Sequence, residues 1–116
     1  MSVLLATGVS DLDNAIKNRL TSFQFVGSVS DKEELMNVIS QIKPTHLLLS
    51  ELLKGNLSIE ELISMIYYRF PYLHIVFICE NDNQLFDSFL RKHRIRDILR
   101  GNFSPYELEE KLQHPF

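Results

Sequence analysis

A chain of 116 residues with 45% apolar and 23% charged side chains is the size of one packed domain, which excludes intrinsic disorder. Its formal net charge of −3 argues against nucleic acid as the main partner, because phosphate binding goes with a basic surplus. Cys79, the sole cysteine, closes no internal disulfide, no apolar run nears the roughly 20 residues of a membrane span, and "MSVLLATG" lacks a basic n-region; residues 1–116 therefore read as one soluble cytoplasmic domain, whole or excised from the N-terminus of a longer protein.

In chain order, an apolar run from Val3 to Ala6 predicts a first strand. Ser10, with Asp13 three residues on, then has the form of a capping box, and Leu12, Ala15, Ile16 and Leu20 follow at helical spacing. A second run, Phe23 to Val29, precedes Ser30 and Glu33 and a helix carrying Leu35, Val38, Ile39 and Ile42. A third, His46 to Leu49, precedes Ser58 and Glu61 and a helix carrying Leu62, Ile63, Ile66 and Phe70. The fourth run, His74 to Cys79, leads after Asn81 to a helix whose apolar stripe is Leu85, Phe86, Phe89 and Leu90. The fifth, Asp97 to Leu99, leads to Ser104 and Glu107, with Pro105 at the first helical position and Leu108 and Leu112 behind it. Pro44 and Pro71 end helices before strands three and four.

Runs such as "LLL" and "IVFI" do not alternate, as expected of strands buried on both faces. Strict strand-helix alternation with short connections implies parallel strands and right-handed crossovers. The predicted fold is a three-layer α/β/α sandwich, a flavodoxin-like doubly wound sheet of order 2-1-3-4-5, with the first and fifth helices on one face and the other three opposite. Its functional crevice lies outside the carboxyl ends of the strands, which puts Thr7, Gly8, Ser50, Glu51, Cys79, Glu80, Arg100 and Gly101 there.

"KPTHLLLSELLKG" resembles the receiver pattern of response regulators, the CheY-like fold, in which a proline opens strand three, a phosphoacceptor aspartate closes it and a glycine follows. "RDILRGNFSPYELEEKL" resembles the receiver's last strand and helix, where the family has Lys-Pro before "F-x-P-x-E-L". The resemblance covers nearly the whole chain and implies a receiver fold with a degenerate site. Ser50 stands at the phosphoacceptor position, Ala6 and Thr7 replace the acidic pair that would hold Mg²⁺, Cys79 replaces the Thr or Ser after strand four, and Gly101 and Asn102 stand where Lys-Pro would be. Glu51 and Glu80 carry oxygen ligands, but the lysine that would balance a phosphoryl group after strand five is missing. "VLLATG", "SELLKG" and "IVFICE" are more closely similar to the receiver-like domains that precede MinD/ParA-type ATPase modules in the TadZ/CpaE group, where the domain localises or dimerises the ATPase. No G-x-x-x-x-G-K-[ST] sequence is present, so such an ATPase would be a further domain or a separate protein.

"ATGVSD" has the look of a flavin-phosphate loop, but Asp11 and Asp13 would repel a phosphate there. Cys79 has no C-x-x-C partner, and His46, His74, His93 and His114 show no metal spacing; a buried thiol and ordinary strand-end or surface histidines are the plain reading. Neither cofactor nor metal nor small-molecule substrate is expected. Charge is segregated: Arg91, Lys92 and Arg96 are basic, Glu107 and Glu110 on the last helix are acidic, and Tyr106 adds apolar surface. A surface basic at one end and acidic at the other is its own complement across a two-fold axis. The expectation is a non-enzymatic pseudo-receiver that forms a weak homodimer through this face and docks to a protein partner such as a MinD/ParA-like ATPase. The alternatives are a regulator responsive to phosphorylation at Ser50 or Glu51, and a flavin- or nucleotide-binding protein.

Overall fold

The computed structural model describes residues 2–79, 84–100 and 103–113. Five strands, β1 (Ser2–Ala6), β2 (Gln24–Ser28), β3 (His46–Ser50), β4 (His74–Cys79) and β5 (Asp97–Arg100), alternate with five helices, α1 (Ser10–Arg19), α2 (Lys32–Ile42), α3 (Ile59–Arg69), α4 (Gln84–Lys92) and α5 (Pro105–Gln113). All pairings are parallel and the sheet order is β2-β1-β3-β4-β5, as the sequence predicts. The Val3, Leu5, Leu48, Val76 and Ile78 side chains point to one face and meet Ile16 and Leu20 of α1 and Leu108 and Leu112 of α5. Their alternates, among them Leu4, Leu47, Leu49 and Phe77, point to the other face, against Leu35 and Ile39 of α2, Leu62 and Ile66 of α3, and Leu90 of α4. With both faces covered, the central strands need apolar residues at every position, which is why they do not alternate.

Two of the four expected serine caps form at the predicted residue. Ser58 Oγ accepts from the Glu61 amide at 3.0 Å and Ser104 Oγ from the Glu107 amide at 3.2 Å. At α2 the cap is Asp31, not Ser30: its carboxylate, a stronger acceptor than a hydroxyl, takes the Glu34 amide at 2.8 Å. Glu33 is thereby freed to accept from the Asn56 amide at 2.7 Å, tying α2 to the β3–α3 loop. At α1, Ser10 is already the first helical residue, Val9 is the uncapped N-cap, and Asp13 turns inward instead. A further departure concerns α4: Leu85 is 85% exposed, whereas Phe86, Phe89 and Leu90 pack inward. The helix stops in a Schellman-type turn, with the Ile95 amide bonded to the Leu90 carbonyl at 2.9 Å and Arg94 left-handed at φ 63°.

Candidate functional site

Parallel strands deliver their C-terminal residues to one edge, so Thr7, Ser50 and Cys79 stand at that edge; Glu80, Gly101 and Asn102 lie outside the described residues. The crevice is filled from within. Thr7 is fully buried and its hydroxyl donates to Asp13 Oδ1 at 2.6 Å, while the Val9 amide donates to Thr7 Oγ1 at 3.2 Å. Burial raises the Asp13 pKa above the ordinary carboxylate value, against the opposing pull of the Thr7 hydrogen bond and the Lys17 charge. Ser50 is 1% exposed and its Oγ accepts from the Leu52 amide at 3.0 Å. The Glu51 amide continues the ladder to Ile78 at 3.3 Å, and a Glu51 carboxylate oxygen lies 3.9 Å from the buried Cys79 thiol. Gly8 brings the β1–α1 loop against the next loop: at φ +77°, a Cβ there would sit 2.8 Å from the Leu52 carbonyl oxygen and 2.9 Å from Leu53 Cα.

The charged face forms around the edge strand β5. On its α4 side, Arg91 and Arg96 line a groove of about 490 Å³ with Asp87, Ile98 and Arg100, and Arg100 Nη2 is paired with Asp87 Oδ1 at 2.6 Å. On its α5 side, Glu107 and Glu110 line a groove of about 340 Å³ with Ile98 and Lys111. The predicted basic and acidic groups thus flank one half-buried apolar residue, Ile98. Lys92 and Tyr106 line neither groove, although both are exposed, Tyr106 by 72%. Ile98 is the apolar element of this region that the sequence reading did not assign to the surface. Ile98 is on β5, the strand at one edge of the sheet, a position visible from the predicted strand order.

At the opposite edge, the strand-end histidines are more than surface residues. His46 and His74 begin neighbouring strands, with ring centroids 5.0 Å apart. His74 Nε2 lies 2.7 Å from Asp97 Oδ2, neither atom has another partner among the described residues, and Lys111 Nζ stands 4.0 Å from Oδ1. Thr45 Oγ1 lies 3.0 Å from the Ser2 carbonyl oxygen and 2.8 Å from His46 Nδ1. His46 Nε2 is buried and has no hydrogen-bond partner among the described residues. Burial, and next the charge of His74, lower the His46 pKa to about 4. Among the described residues no cluster of three His, Cys, Asp or Glu side chains has the arrangement of a metal site.

No protein-family model matches the sequence, and no curated protein matches it. Solved structures match strongly in shape. RcsB of Salmonella enterica serovar Typhimurium, bound to a promoter in the presence of the phosphomimetic BeF3−, superposes with a TM-score of 0.87 at 23% identity, covering 97% of this chain and 66% of that one. The isolated receiver domain of the same RcsB gives 0.88 at 23% identity, covering 97% and 86%. The receiver domain of a LuxO repressor-type protein from Vibrio parahaemolyticus gives 0.85 at 16% identity, covering 97% and 86%. The chain has the receiver fold, and it spans about two thirds of the longer RcsB chain.

Proposed function

We propose that this chain is a receiver-fold signalling module that works by protein contact, pairing with a second copy of itself through α4, β5 and α5 and positioning a larger partner of the MinD/ParA-like ATPase kind, without phosphoryl transfer of its own. The observation that carries the reading is the placement of Arg91 and Arg96 on one side of Ile98 and Glu107 and Glu110 on the other. In a two-fold pair each basic flank meets the acidic flank of its mate, with the edge strands between them. Exposed ion pairs contribute only about 0–1 kcal/mol each, so Ile98 and Tyr106 supply the apolar contact and the charges set the register. The filled crevice supports the same reading, since Ser50 offers no free nucleophile and Thr7 no carboxylate for a cation. RcsB has been solved as dimers on DNA, which is consistent with self-association of the fold.

Sedimentation equilibrium tests this directly. The chain is expected to dimerise weakly and to dissociate as salt rises. Replacing Arg91 and Arg96 by Glu should weaken the dimer, and adding Glu107→Lys and Glu110→Lys on the same chain should restore part of the affinity. A strict monomer at high concentration, or a dimer indifferent to all four changes, would remove this surface from consideration.

A further inference from the structure

The face of the sheet that carries α1 and α5 is incompletely closed: between the two helices runs a groove of about 480 Å³. That volume falls in the range of small-molecule sites, roughly 300–1,000 Å³. Leu12 and Ile16 of α1 form one wall, Phe103 and Leu108 the other, and Ile78 lies in the floor. At the mouth Val9 and Leu52 are left 37% and 47% exposed. Its described lining includes one charged group able to fix orientation, Arg19 at the far end of α1. No acidic side chain is among the described lining residues, and Arg19 has no ion-pair partner among the described residues. From Val9 to Leu20 the wall is about 16 Å long at 1.5 Å per residue.

We propose that this groove binds a small amphipathic monocarboxylate, its apolar chain lying along α1 between Leu12 and Phe103 and its carboxylate on the Arg19 guanidinium. An apolar trough with a cation at one end matches an unbranched or arylalkyl acid: the chain buries apolar surface at about 25 cal/mol per Å², and the planar guanidinium pairs a carboxylate through two hydrogen bonds. Ala15, which lines the groove one turn before Arg19, leaves room for the chain where a larger side chain would fill it. This site is separate from the charged face around β5 and gives the module an input that the pairing surface does not supply.

The test titrates the ¹⁵N-labelled chain with decanoate and, separately, with 1-decanol, both below their aggregation thresholds, and follows amide shifts. Decanoate is expected to bind at least tenfold more tightly than the alcohol, with shifts confined to residues 9–20 and 103–108 and to Ser50, Leu52 and Ile78 of the same lining. Arg19→Glu should abolish the preference for the acid, and Ala15→Trp should abolish both ligands; both positions are exposed, and an unchanged amide spectrum outside the groove shows that the fold persists. Equal affinity for acid and alcohol in the native chain, shifts centred elsewhere, decanoate binding indifferent to Arg19→Glu and Ala15→Trp, or no binding of decanoate would each overturn the proposal.

Discussion

The Thr7 hydroxyl and the Asp13 carboxylate, 2.6 Å apart and both buried, join the end of β1 to the first turn of α1. The carboxylate is held inside the fold by a neutral donor, so the strand end that would present acids to a cation is turned in on itself. Thr7→Val, which keeps the shape and deletes the donor, should destabilise by about 2 kcal/mol, because a buried acceptor is left unmet. Asp13→Asn should cost less, since the burial that raises the Asp13 pKa no longer acts on a charge. Urea unfolding of both single variants and the double variant is the measurement. If Thr7→Val costs as much in the Asp13→Asn background as in the native chain, the two groups are not coupled.

Gly8 and Gly27 should respond in opposite directions to alanine. At Gly8 the backbone is left-handed and a methyl group would press on the backbone of Leu52 and Leu53, which cannot swing aside. Gly8→Ala is expected to cost more than about 2 kcal/mol. Gly27 sits in β2, where a Cβ would meet the Leu4 side chain at an ordinary 3.5 Å. Gly27→Ala should therefore stabilise by about 0.5 kcal/mol through loss of unfolded-state freedom. A neutral Gly8→Ala would show that the two loops are not held together as described.

The strand order and both helical layers were legible in the sequence because uninterrupted apolar runs and helical spacing report burial directly, as in "HLLLS" and "HIVFIC". The charged face was legible in part, since α4, β5 and α5 are consecutive and their charges meet around one strand. What escaped were features set by tertiary neighbours. Asp13 has the spacing of a capping partner for Ser10, yet the Thr7 hydroxyl takes it inward. Leu85 has the spacing of a core residue, but α4 turns it to solvent while Phe86 and Phe89 fill the interior. The α1–α5 groove has no local signature: Leu12, Ile16 and Leu108 read as helix-to-sheet packing, and only the separation of the helices leaves the space between them.

Ser50 should behave as a structural residue. Its hydroxyl accepts the Leu52 amide and is shut away from solvent, so Ser50→Ala should cost no more than about 1 kcal/mol. Incubation with acetyl phosphate and Mg²⁺ should leave the intact mass unchanged. Ser50→Asp should destabilise by about 2 kcal/mol, by burying a carboxylate beside apolar neighbours, and should not gain phosphoryl uptake. A mass increase of one phosphoryl group on the native chain would restore the phosphorylation-responsive reading.

Stability should fall as the pH is lowered from about 6.5 to about 4, and His46 is the reason. Its folded pKa, about 4, lies below the value of roughly 6.5 expected in the unfolded chain. Between those values the unfolded chain binds the proton and the folded chain refuses it, so acid draws the equilibrium toward unfolding; below about 4 both states are protonated and the effect stops growing. The accumulated loss is up to about 3 kcal/mol. Asp13 acts in the opposite sense: its raised pKa means the folded chain binds a proton first, so acidification from above its folded pKa to below its unfolded value favours the fold. The two are separated by His46→Gln, which leaves Asp13 untouched. The groups facing the ring are Thr45, His74 and, beyond His74, Asp97 with Lys111. Urea unfolding across pH 4 to 7 should give a steeper dependence for the native chain than for His46→Gln, by close to one proton at the steepest point. Because His74 loses a neighbour in the variant, His74→Gln is the control, and it should leave most of the slope in place. Identical profiles for the native chain and His46→Gln would mean that His46 is protonated in the folded protein as readily as in the unfolded one, and that its orphaned Nε2 has a partner in solution.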